Sequence, residues 1–296
     1  MANTSARFEP SHSQRERLRF VESTLLWEGE IQRSRVSTVF GVVPNHVTKD
    51  FKEYEAAFPQ SLTFEPRRRF YVPGPAFKPR FASEDPHEYL ALQLASSQTR
   101  SSAVIPLVGG LLPIQGLPTP VRSVKRQGLS LVVQAIRSAT AVEATYHSMT
   151  ATEPTKRKFW PHSLIHTDEW WHVRAFDGRS GEFRNFALQR IEQAKSVSES
   201  SPQSSESDTE WHTESVLEVV PHPALNAHQK KVVAREFGMS ADGDESVWRV
   251  KIRNCLVGYF AAHYGLDLPN AKPPRYVLSL RNKDDVKQRF LPPAAD

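Results

Sequence analysis

The chain has 296 residues, and its 38 lysine and arginine side chains exceed its 33 acidic ones, which gives a formal net charge of +5. This length allows two or three domains, and the single cysteine, Cys255, excludes an intrachain disulfide and a cysteine-rich zinc or iron–sulfur site within one chain. No apolar run reaches the roughly 18–20 residues of a membrane helix, and the first residues lack the pattern of a secretory signal. The sequence therefore predicts a soluble, cytoplasmic protein without a membrane partner.

The positive charge is concentrated in two parts of the chain. Residues 1–81 carry a net charge of +4, residues 120–190 carry +5, and residues 192–218 set seven acids against Lys195. Residues 196–210 are rich in serine and glutamate and have almost no apolar side chain, so burial cannot offset the entropy cost of ordering them. This composition predicts a flexible acidic loop, and the two basic regions are compatible with an anionic partner such as nucleic acid.

The first 82 residues predict three helices followed by a β-hairpin. The first helix covers about residues 13–28 and the second about residues 31–40. The third opens at Pro44, which suits a first helical turn, and its apolar stripe leaves polar and cationic side chains outside. Two strand-like runs, 62–64 and 70–72, then flank a turn with three arginines.

This order of elements is that of a winged helix-turn-helix, and its polar side chains suit DNA. Asparagine and lysine on a helix in the major groove read base edges, and threonine hydroxyls bind phosphate. An arginine-tipped hairpin reaches the neighbouring phosphates or the minor groove. The predicted DNA-binding residues are Arg33, Arg35, Asn45, His46, Thr48, Lys49, Lys52, Arg67, Arg68 and Arg69. The alternative is a helical domain whose polar face is merely solvated.

The middle of the chain changes from helical to strand periodicity. A helical connector is predicted around residues 84–98, prolines and glycines cluster at 101–120, and residues 121–138 again have helical spacing. The runs that follow alternate with a period of two and are separated by short turns: 141–149, 158–166, 170–176 and 182–188. Short strands at this spacing predict a small, strongly bent sheet or barrel.

Three segments of this region together resemble a WYL domain. They read FWPHSL at 159–164, WWHVRAF at 170–176 and FRNFALQRI at 183–191. The resemblance implies an Sm/SH3-like β-barrel, which in that family usually follows a helix-turn-helix in bacterial transcription regulators. The chain departs from the family at the Trp-Tyr-Leu tripeptide that names it, because Trp171-His172-Val173 stands in its place.

Further runs are similar to one branch of WYL repressors, the BrxR/CapW-like type found beside BREX and CBASS anti-phage islands. Residues 70–73 (FYVP) and 77–79 (FKP) match the winged-helix exit of that branch. Residues 221–225 (PHPAL), Gln229 and 237–239 (FGM) match its C-terminal domain, which helps to form the dimer in related regulators. The resemblance thus covers almost the whole chain in the right order.

The resemblance implies that one face of the barrel senses a nucleotide or a nucleic-acid fragment. Arginine forks onto phosphate, hydroxyl groups donate hydrogen bonds and an aromatic ring stacks on a base. By position, the implied ligand-binding residues are Tyr146, Ser148, His162, Trp171, Arg184 and Arg190. The alternatives are core packing for Trp171, a shared half-buried strand face for Tyr146 and Ser148, and plain surface charge for the two arginines. His172, in place of tyrosine, would make ligand binding sensitive to pH.

The last part of the chain predicts an α/β module without a catalytic signature. Its predicted elements are a strand at 211–220, helices at 226–236 and 247–264, and a strand at 276–280. An apolar face of the second helix, which includes Val250 and Phe260, is interpreted mainly as core and partly as a dimer edge. His162 and His166 have a metal-like spacing, but on a strand they do not form the helical face that such sites use. The sequence therefore predicts no enzyme, no metal and no cofactor.

We expect an α+β multidomain protein that is a ligand-responsive, sequence-specific DNA-binding regulator. The predicted domains are a winged helix-turn-helix at 1–82, a connector and linker at 83–120, a WYL domain at 121–195, the flexible loop at 196–210 and a C-terminal dimerisation domain at 211–296. The favoured function is a homodimeric repressor of a phage-defence operon on an inverted repeat of double-stranded DNA, because a two-fold dimer demands two-fold DNA. The alternatives are a nucleic-acid sensor or adaptor outside transcription, and a WYL activator of the DNA-damage type.

Overall fold

The structure of the protein is a computed structural model that describes residues 8–98, 113, 114, 117, 123–167 and 170–291. The chain forms two compact units, Met1–Thr119 and Pro120–Asp296. Each unit has a hydrophobic core of its own. The predicted DNA-binding residues all fall in the first unit, and the predicted ligand-binding residues all fall in the second.

The first unit consists of helices and a two-stranded hairpin. Its elements are α1 (His12–Glu28), α2 (Arg33–Phe40), α3 (Pro44–Ala57), β1 (Leu62–Glu65), β2 (Phe70–Pro73) and α4 (Pro86–Gln98). β1 and β2 pair antiparallel, with Glu65 opposite Phe70 at the turn, and we call this hairpin the wing. The predicted order of three helices and a hairpin is confirmed. The first helix begins slightly earlier than predicted because the side chain of Ser11, rather than that of Ser13, caps it.

The core of the first unit is built largely from α1 and α3. Each helix buries one stripe of side chains at helical spacing, as the sequence predicts. The buried stripes include Leu18, Val21, Leu25, Val47, Phe51 and Tyr54. Full burial of one such apolar side chain contributes about 1.5–3 kcal/mol, so these stripes fix how the helices face each other. The opposite side of α3 consequently faces solvent.

A buried carboxylate fastens the segment that leaves the wing to α1. Glu22 is fully buried, and its Oε2 accepts hydrogen bonds from the backbone N–H groups of Arg80, Phe81 and Ala82 at 2.6–2.9 Å. Its Oε1 accepts a hydrogen bond from the Tyr54 hydroxyl at 2.7 Å. A polar group buried this deeply is tolerated only when its acceptors are satisfied, so Glu22 is a structural residue.

The second unit begins with a helix packed on a five-stranded antiparallel sheet. These elements are α5 (Arg126–Ser138), β3 (Thr140–Tyr146), β4 (Thr155–Thr167), β5 (Trp170–Asp177), β6 (Glu182–Ala187) and β7 (Ile191–Ser200). The strand order is β6-β5-β4-β3-β7. Val132 and Ala135 of α5 share a core with Val142, Phe159 and Val173 of the sheet. No ladder joins β6 to β7 within the described ranges, so these two strands are the edges of the sheet.

The remainder of the second unit is a four-stranded antiparallel sheet with helices packed on it. Its elements are α6 (Thr209–His212), β8 (Glu214–Pro221), α7 (Ala227–Glu236), β9 (Ser240–Asp242), β10 (Glu245–Arg253), α8 (Val257–Tyr264), β11 (Leu278–Leu280) and α9 (Lys283–Val286). The strand order is β11-β8-β10-β9. Leu217 and Val219 of β8 form a separate core with Val257 and Ala261 of α8. The apolar face assigned to the predicted helix is therefore largely internal.

The helix predicted at 247–264 is wrong over its first half. β10 covers that half, and α8 begins only at Val257. Trp248 and Ile252 of β10 pack against the core while Arg249 is exposed, which is the alternation of a strand. A short apolar run is compatible with both periods, and pairing with β8 favours the strand here.

The acidic segment 196–210 has regular structure that its composition does not predict. β7 continues to Ser200 and pairs with β3, and a 3-10 turn at Ser205–Ser207 leads to Asp208, which is only 1% exposed. Main-chain hydrogen bonds in a ladder require no apolar side chain, so a polar sequence can form a strand beside a partner. The expectation of a flexible loop is corrected accordingly, and the strand predicted at 211–220 starts only after α6.

Candidate nucleic-acid interface and ligand site

The outer side of α3 presents a polar surface. Asn45, His46, Lys49 and Lys52 are exposed there, on the side opposite the buried stripe. Lys49 lies 3.7 Å from Glu53 one turn along the helix, which is a weak surface pair. An α-helix fits the width of the major groove. The amide, imidazole and ammonium groups on this surface can donate hydrogen bonds to the acceptors of bases and phosphates.

The turn of the wing carries three exposed arginines. They are Arg67, Arg68 and Arg69, and Arg69 adopts a left-handed backbone conformation (φ 56°) in which its N–H donates to the Glu65 carbonyl at 2.8 Å. Arg68 forms an ion pair with Glu30 at 2.7 Å. Because an exposed pair of this kind contributes little free energy, a phosphate can replace the carboxylate with small loss.

Two other predicted DNA contacts, Arg33 and Arg35, are bound within the domain. Arg35 makes a two-point contact with Glu28 at 2.6 and 3.0 Å, and its side chain is only 19% exposed. Arg33 donates a hydrogen bond to the Thr48 hydroxyl at 3.2 Å. Thr48 donates its own hydroxyl proton to the Pro44 carbonyl at 3.0 Å, so that proton is already committed.

Among the predicted ligand-binding residues, Tyr146 lies inside the sheet. It is 8% exposed, its ring contacts Phe186, and its hydroxyl oxygen accepts a hydrogen bond from the Ala187 N–H at 3.2 Å. Ser148 is half-buried, and its hydroxyl lies 3.0 Å from that of Thr150. β3 ends at Tyr146, so the two residues do not share one strand face.

Trp171 is exposed, which contradicts the alternative of core packing. Its side chain is 45% exposed, and its ring packs against that of His166 with 4.6 Å between centroids. The next residue, His172, is buried instead at 7% exposure, because successive side chains of a strand point to opposite faces. Core packing of Trp171 is therefore wrong, and its indole has the exposed surface that stacking requires.

The two predicted arginines occupy different environments. Arg184 is exposed on β6 and pairs with a glutamate of the same strand at 3.0 Å. Arg190 is half-buried, with its guanidinium 5.7 Å from the centre of the Trp170 ring. The Arg190 carbonyl accepts a hydrogen bond from the His147 N–H at 3.0 Å, which places Arg190 beside the end of β3.

Four of the predicted ligand residues thus fall into two groups. Ser148 and Arg190 lie near each other at the end of β3. His162 and Arg184 lie on either side of Ala175 in β5, since Ala175 pairs with Arg184 and, across the sheet, with the bulge of β4 that contains His162. One ligand would have to be extended to contact both groups.

A buried ion network, which the sequence does not predict, surrounds His162. Asp208 receives two hydrogen bonds from Arg174, each at 2.7 Å, and its Oδ2 lies 3.0 Å from His162 Nε2. Asp208 Oδ1 also caps α6 by accepting the Trp211 N–H at 3.2 Å. Arg174 is 5% exposed and Asp208 1%. Charge rather than apolar contact therefore anchors the segment after β7 to the sheet.

The network determines the protonation of its members. Burial would raise the pKa of Asp208, but the hydrogen bonds and charge of Arg174 outweigh burial and hold that pKa below its usual range. Burial lowers the pKa of His162 against the opposing effect of Asp208. At neutral pH Asp208 is therefore ionised and His162 neutral, so His162 Nε2–H donates to Asp208. Its Nδ1 then accepts from the Ser163 hydroxyl at 2.9 Å.

Asn185 extends the network to the C-terminal part of the unit. Arg174 Nη1 donates to Asn185 Oδ1 at 3.2 Å, and Asn185 Nδ2 donates to the Cys255 carbonyl at 3.3 Å. Cys255 is half-buried in a 3-10 turn rather than inside the predicted helix, and burial raises its pKa to about 11. Because a thiol with this pKa is almost entirely protonated at neutral pH, Cys255 is not a reactive cysteine.

The buried His172 predicts a specific pH dependence of stability. Burial, and then the charge of Arg190, lowers the pKa of His172 to about 4. A histidine in the unfolded chain takes up its proton near pH 6.5. The contribution of neutral, buried His172 to the free energy of unfolding is therefore complete above that pH. It then falls by up to about 3 kcal/mol as the pH decreases towards 4. Denaturant unfolding from pH 7 to pH 4 should show a shallower decline in His172→Tyr, and parallel curves for the two proteins would contradict this role.

Each histidine of the pair with metal-like spacing contacts a different neighbour. His162 is occupied by Asp208, and His166 packs on Trp171. Within the described ranges, no three or more His, Cys, Asp or Glu side chains are grouped so that they could hold a metal ion. The described helices include none that is both long and apolar enough to span a bilayer.

Three family models match successive parts of the chain. The winged helix-turn-helix domain of the BrxR transcriptional regulator matches residues 13–95, and the WYL domain matches residues 127–196. The C-terminal dimerization domain of the BrxR transcriptional regulator matches residues 215–286. The matches occur in the order that the sequence predicts.

Whole proteins are similar to the chain as well. The DNA-binding transcriptional repressor CapW of Pseudomonas aeruginosa is 30% identical over 276 residues, which cover 93% of this chain and 91% of that protein. CapW of Escherichia coli (strain KTE188) is 28% identical over 92% of this chain and 90% of its own. CapW of Stenotrophomonas maltophilia is 28% identical over 93% of this chain and 91% of its own. The likeness therefore includes both units.

Proposed function

The chain belongs to the family of CapW DNA-binding transcriptional repressors, and we propose that it represses a phage-defence operon as a ligand-responsive homodimer bound to an inverted repeat. The observation that carries this proposal is the combination, in one small domain, of an exposed polar α3 and an arginine-tipped wing. A two-fold dimer presents two such domains, which suits two half-sites separated by whole helical turns of DNA.

In this proposal α3 is the recognition helix. Its exposed Asn45, His46, Lys49 and Lys52 enter the major groove, and the wing arginines Arg67, Arg68 and Arg69 lie on the adjacent phosphates or in the minor groove. Arg35 is left out of the interface, since DNA contact would require it to abandon its half-buried pair with Glu28.

Replacing all three wing arginines with alanine is expected to weaken operator binding and to flatten its salt dependence. Each lost phosphate contact removes about 0.9 from the slope of log K against log salt, so the three contacts of one wing remove roughly 2–3 and the two wings of the dimer together remove roughly 5. Fluorescence anisotropy at several salt concentrations measures both quantities. A control with the same charge change, K156A/R179A/K231A, replaces three exposed cations of the second unit and should keep the slope. Equal slopes for the wing variant and the wild type would contradict a DNA-binding wing.

The proposed ligand is a nucleotide or a nucleic-acid fragment, bound on the five-stranded sheet. Support comes from the half-buried Arg190, which can fork onto phosphate, from the accessible Ser148 and from the exposed Trp171 ring. We propose that the sheet curves as the Sm/SH3-like barrel of WYL domains and that an occupied site changes the spacing of the two winged helices. Operator affinity measured with and without a short single-stranded oligonucleotide or a mononucleotide tests this, and equal affinities with both probes would contradict the proposed ligand.

We further propose that the C-terminal part, from residue 211 onward, forms the dimer. The matching family model is described as a dimerization domain. The proposed domain limits stay at 1–82, 83–120 and 121–195, with 196–210 joining the sheet to the C-terminal domain. Sedimentation of the full chain should give twice the monomer mass.

A further inference from the structure

We propose that Arg33 is a positioning residue that holds the wing at a fixed angle to α3, and that it does not itself contact DNA. This proposal rests on the DNA-binding function proposed above and assigns Arg33 a role different from the one its sequence position predicts. Its side chain contacts both α3 and the two strands of the wing.

The contacts of Arg33 join three elements. Its Nη1 donates to the hydroxyl of Thr48, in the second turn of α3, at 3.2 Å. Its guanidinium lies 5.9 Å from the ring centre of Phe64 on β1 and 5.8 Å from that of Tyr71 on β2. Both distances are within the range of a cation–π contact, and Phe64 and Tyr71 also pack on each other at 4.9 Å.

Thr48 serves this arrangement as an acceptor. Its hydroxyl proton is donated to the Pro44 carbonyl, and its oxygen accepts from Arg33. A hydroxyl engaged in this way has no further proton to give to a phosphate, so we assign Thr48 to the support of the wing as well.

The wing depends on contacts with the rest of the domain, among them Leu62 in the core, the ion pair of Arg68 with Glu30 and the contacts of Arg33. An isolated two-stranded hairpin is marginally stable in water. Its backbone contact with the segment before α2 is a single bridge, in which Ile31 and Tyr71 exchange two hydrogen bonds at 2.9 Å. Tyr71 also packs on Phe51 of α3, while Phe64 remains 39% exposed. The Arg33 side chain therefore lies between α3 and the wing and contacts both.

A double-mutant cycle separates positioning from direct contact. We expect Arg33→Ala to reduce operator affinity about tenfold in the wild type, and to have little further effect in the wing triple-alanine variant, because its contribution acts through the wing. Lys52→Ala, an exposed cation on α3, should give additive losses in the same cycle. Arg33→Lys keeps the charge but not the planar fork, so it should behave like Arg33→Ala. Additive losses for Arg33→Ala, or full affinity in Arg33→Lys, would mean that Arg33 contacts phosphate directly and would overturn the proposal.

A second measurement needs no DNA, so it tests Arg33 even if the proposed function fails. Trypsin cleaves after the wing arginines when the hairpin opens locally, and its rate follows the population of the open form. Cleavage at residues 67–69 of the full-length chain, followed by mass spectrometry, should be several-fold faster in Arg33→Ala and Arg33→Lys than in the wild type. Lys52→Ala should leave it unchanged. Equal cleavage rates in all four proteins would contradict the proposal, whereas failure of the wild type to bind its operator would contradict only the proposed function.

Discussion

Replacing Asp208 with asparagine is expected to destabilise the second unit by about 3–5 kcal/mol. The substitution keeps the size of the side chain but removes the charge that neutralises Arg174, which is 5% exposed. Removal of one partner of a buried pair leaves the other charge uncompensated in a low-dielectric environment, and this is among the most damaging single changes in a protein. The cap of α6 and the acceptor of His162 are weakened by the same change.

Denaturant unfolding followed by circular dichroism measures the loss. The matched control is Glu206→Gln, which neutralises an acid two residues earlier whose side chain is 82% exposed, and it should change stability by less than about 0.5 kcal/mol. Replacing the pair together, as Arg174→Met with Asp208→Leu, should restore part of the stability, because two apolar side chains leave no buried charge while the cap of α6 and the acceptor of His162 stay lost. A Asp208→Asn protein as stable as the wild type would contradict the anchoring role.

Replacing Glu22 with alanine is expected to destabilise the first unit by roughly 2–4 kcal/mol and to abolish operator binding at concentrations that saturate the wild type. The change removes the acceptor of three backbone N–H groups and of the Tyr54 hydroxyl. It thereby releases residues 80–82, the chain segment that follows the wing, from α1.

Tyr54→Phe provides the comparison for Glu22. It removes one of the four hydrogen bonds of the carboxylate and keeps the buried ring, so we expect a loss of about 1 kcal/mol and retained DNA binding. Thermal unfolding and operator titrations of both variants test the expectation. Equal losses from the two substitutions would show that the backbone hydrogen bonds of Glu22 contribute little.

The winged helix could be predicted from sequence because its core follows helical spacing without interruption. The stripe Val47, Phe51 and Tyr54 defines the inner side of α3 and hence the outer one. The wing could be predicted because two short strand-like runs flank a polar turn. The C-terminal part could not be predicted as well, since the run at 247–264 contains apolar residues that suit either period, and its strand half is determined by distant β8.

The ion network could not be predicted from sequence because its members are far apart in the chain. Asp208 lies in a serine-rich acidic segment where nothing distinguishes it from its neighbours, and Arg174 is 34 residues away. Arg174 lies on β5, and the alternation of a strand predicts which face its side chain is on but not which charged group it contacts. The resemblance to WYL domains points to His162 as a ligand-binding residue, but it does not predict that His162 is hydrogen-bonded to the Asp208 carboxylate. The partner of a charged side chain depends on the tertiary structure, whereas apolar periodicity can be read from neighbouring residues in the sequence.

The same distinction applies to the predicted DNA contacts. Sequence position places Arg33 and Arg35 at the start of α2, close to the expected interface, and residue type suits phosphate. In the structure, however, Arg33 contacts Thr48 and the wing residue Phe64, and Arg35 pairs with Glu28. Both side chains are therefore already engaged within the domain. Arg67, Arg68 and Arg69, at the exposed turn of the wing, and the exposed side chains of α3 keep the DNA-binding role that the sequence predicts for them, as a proposal.

Binding of the purified full-length protein to the DNA upstream of its own operon tests the central claim most directly. In a gel shift with excess unrelated competitor DNA, a repressor that reads an inverted repeat should form one discrete complex, and scrambling either half-site should weaken it by at least tenfold. Binding that depends only on the length of the nucleic acid, and not on its sequence, would contradict the repressor account and favour a nucleic-acid adaptor outside transcription.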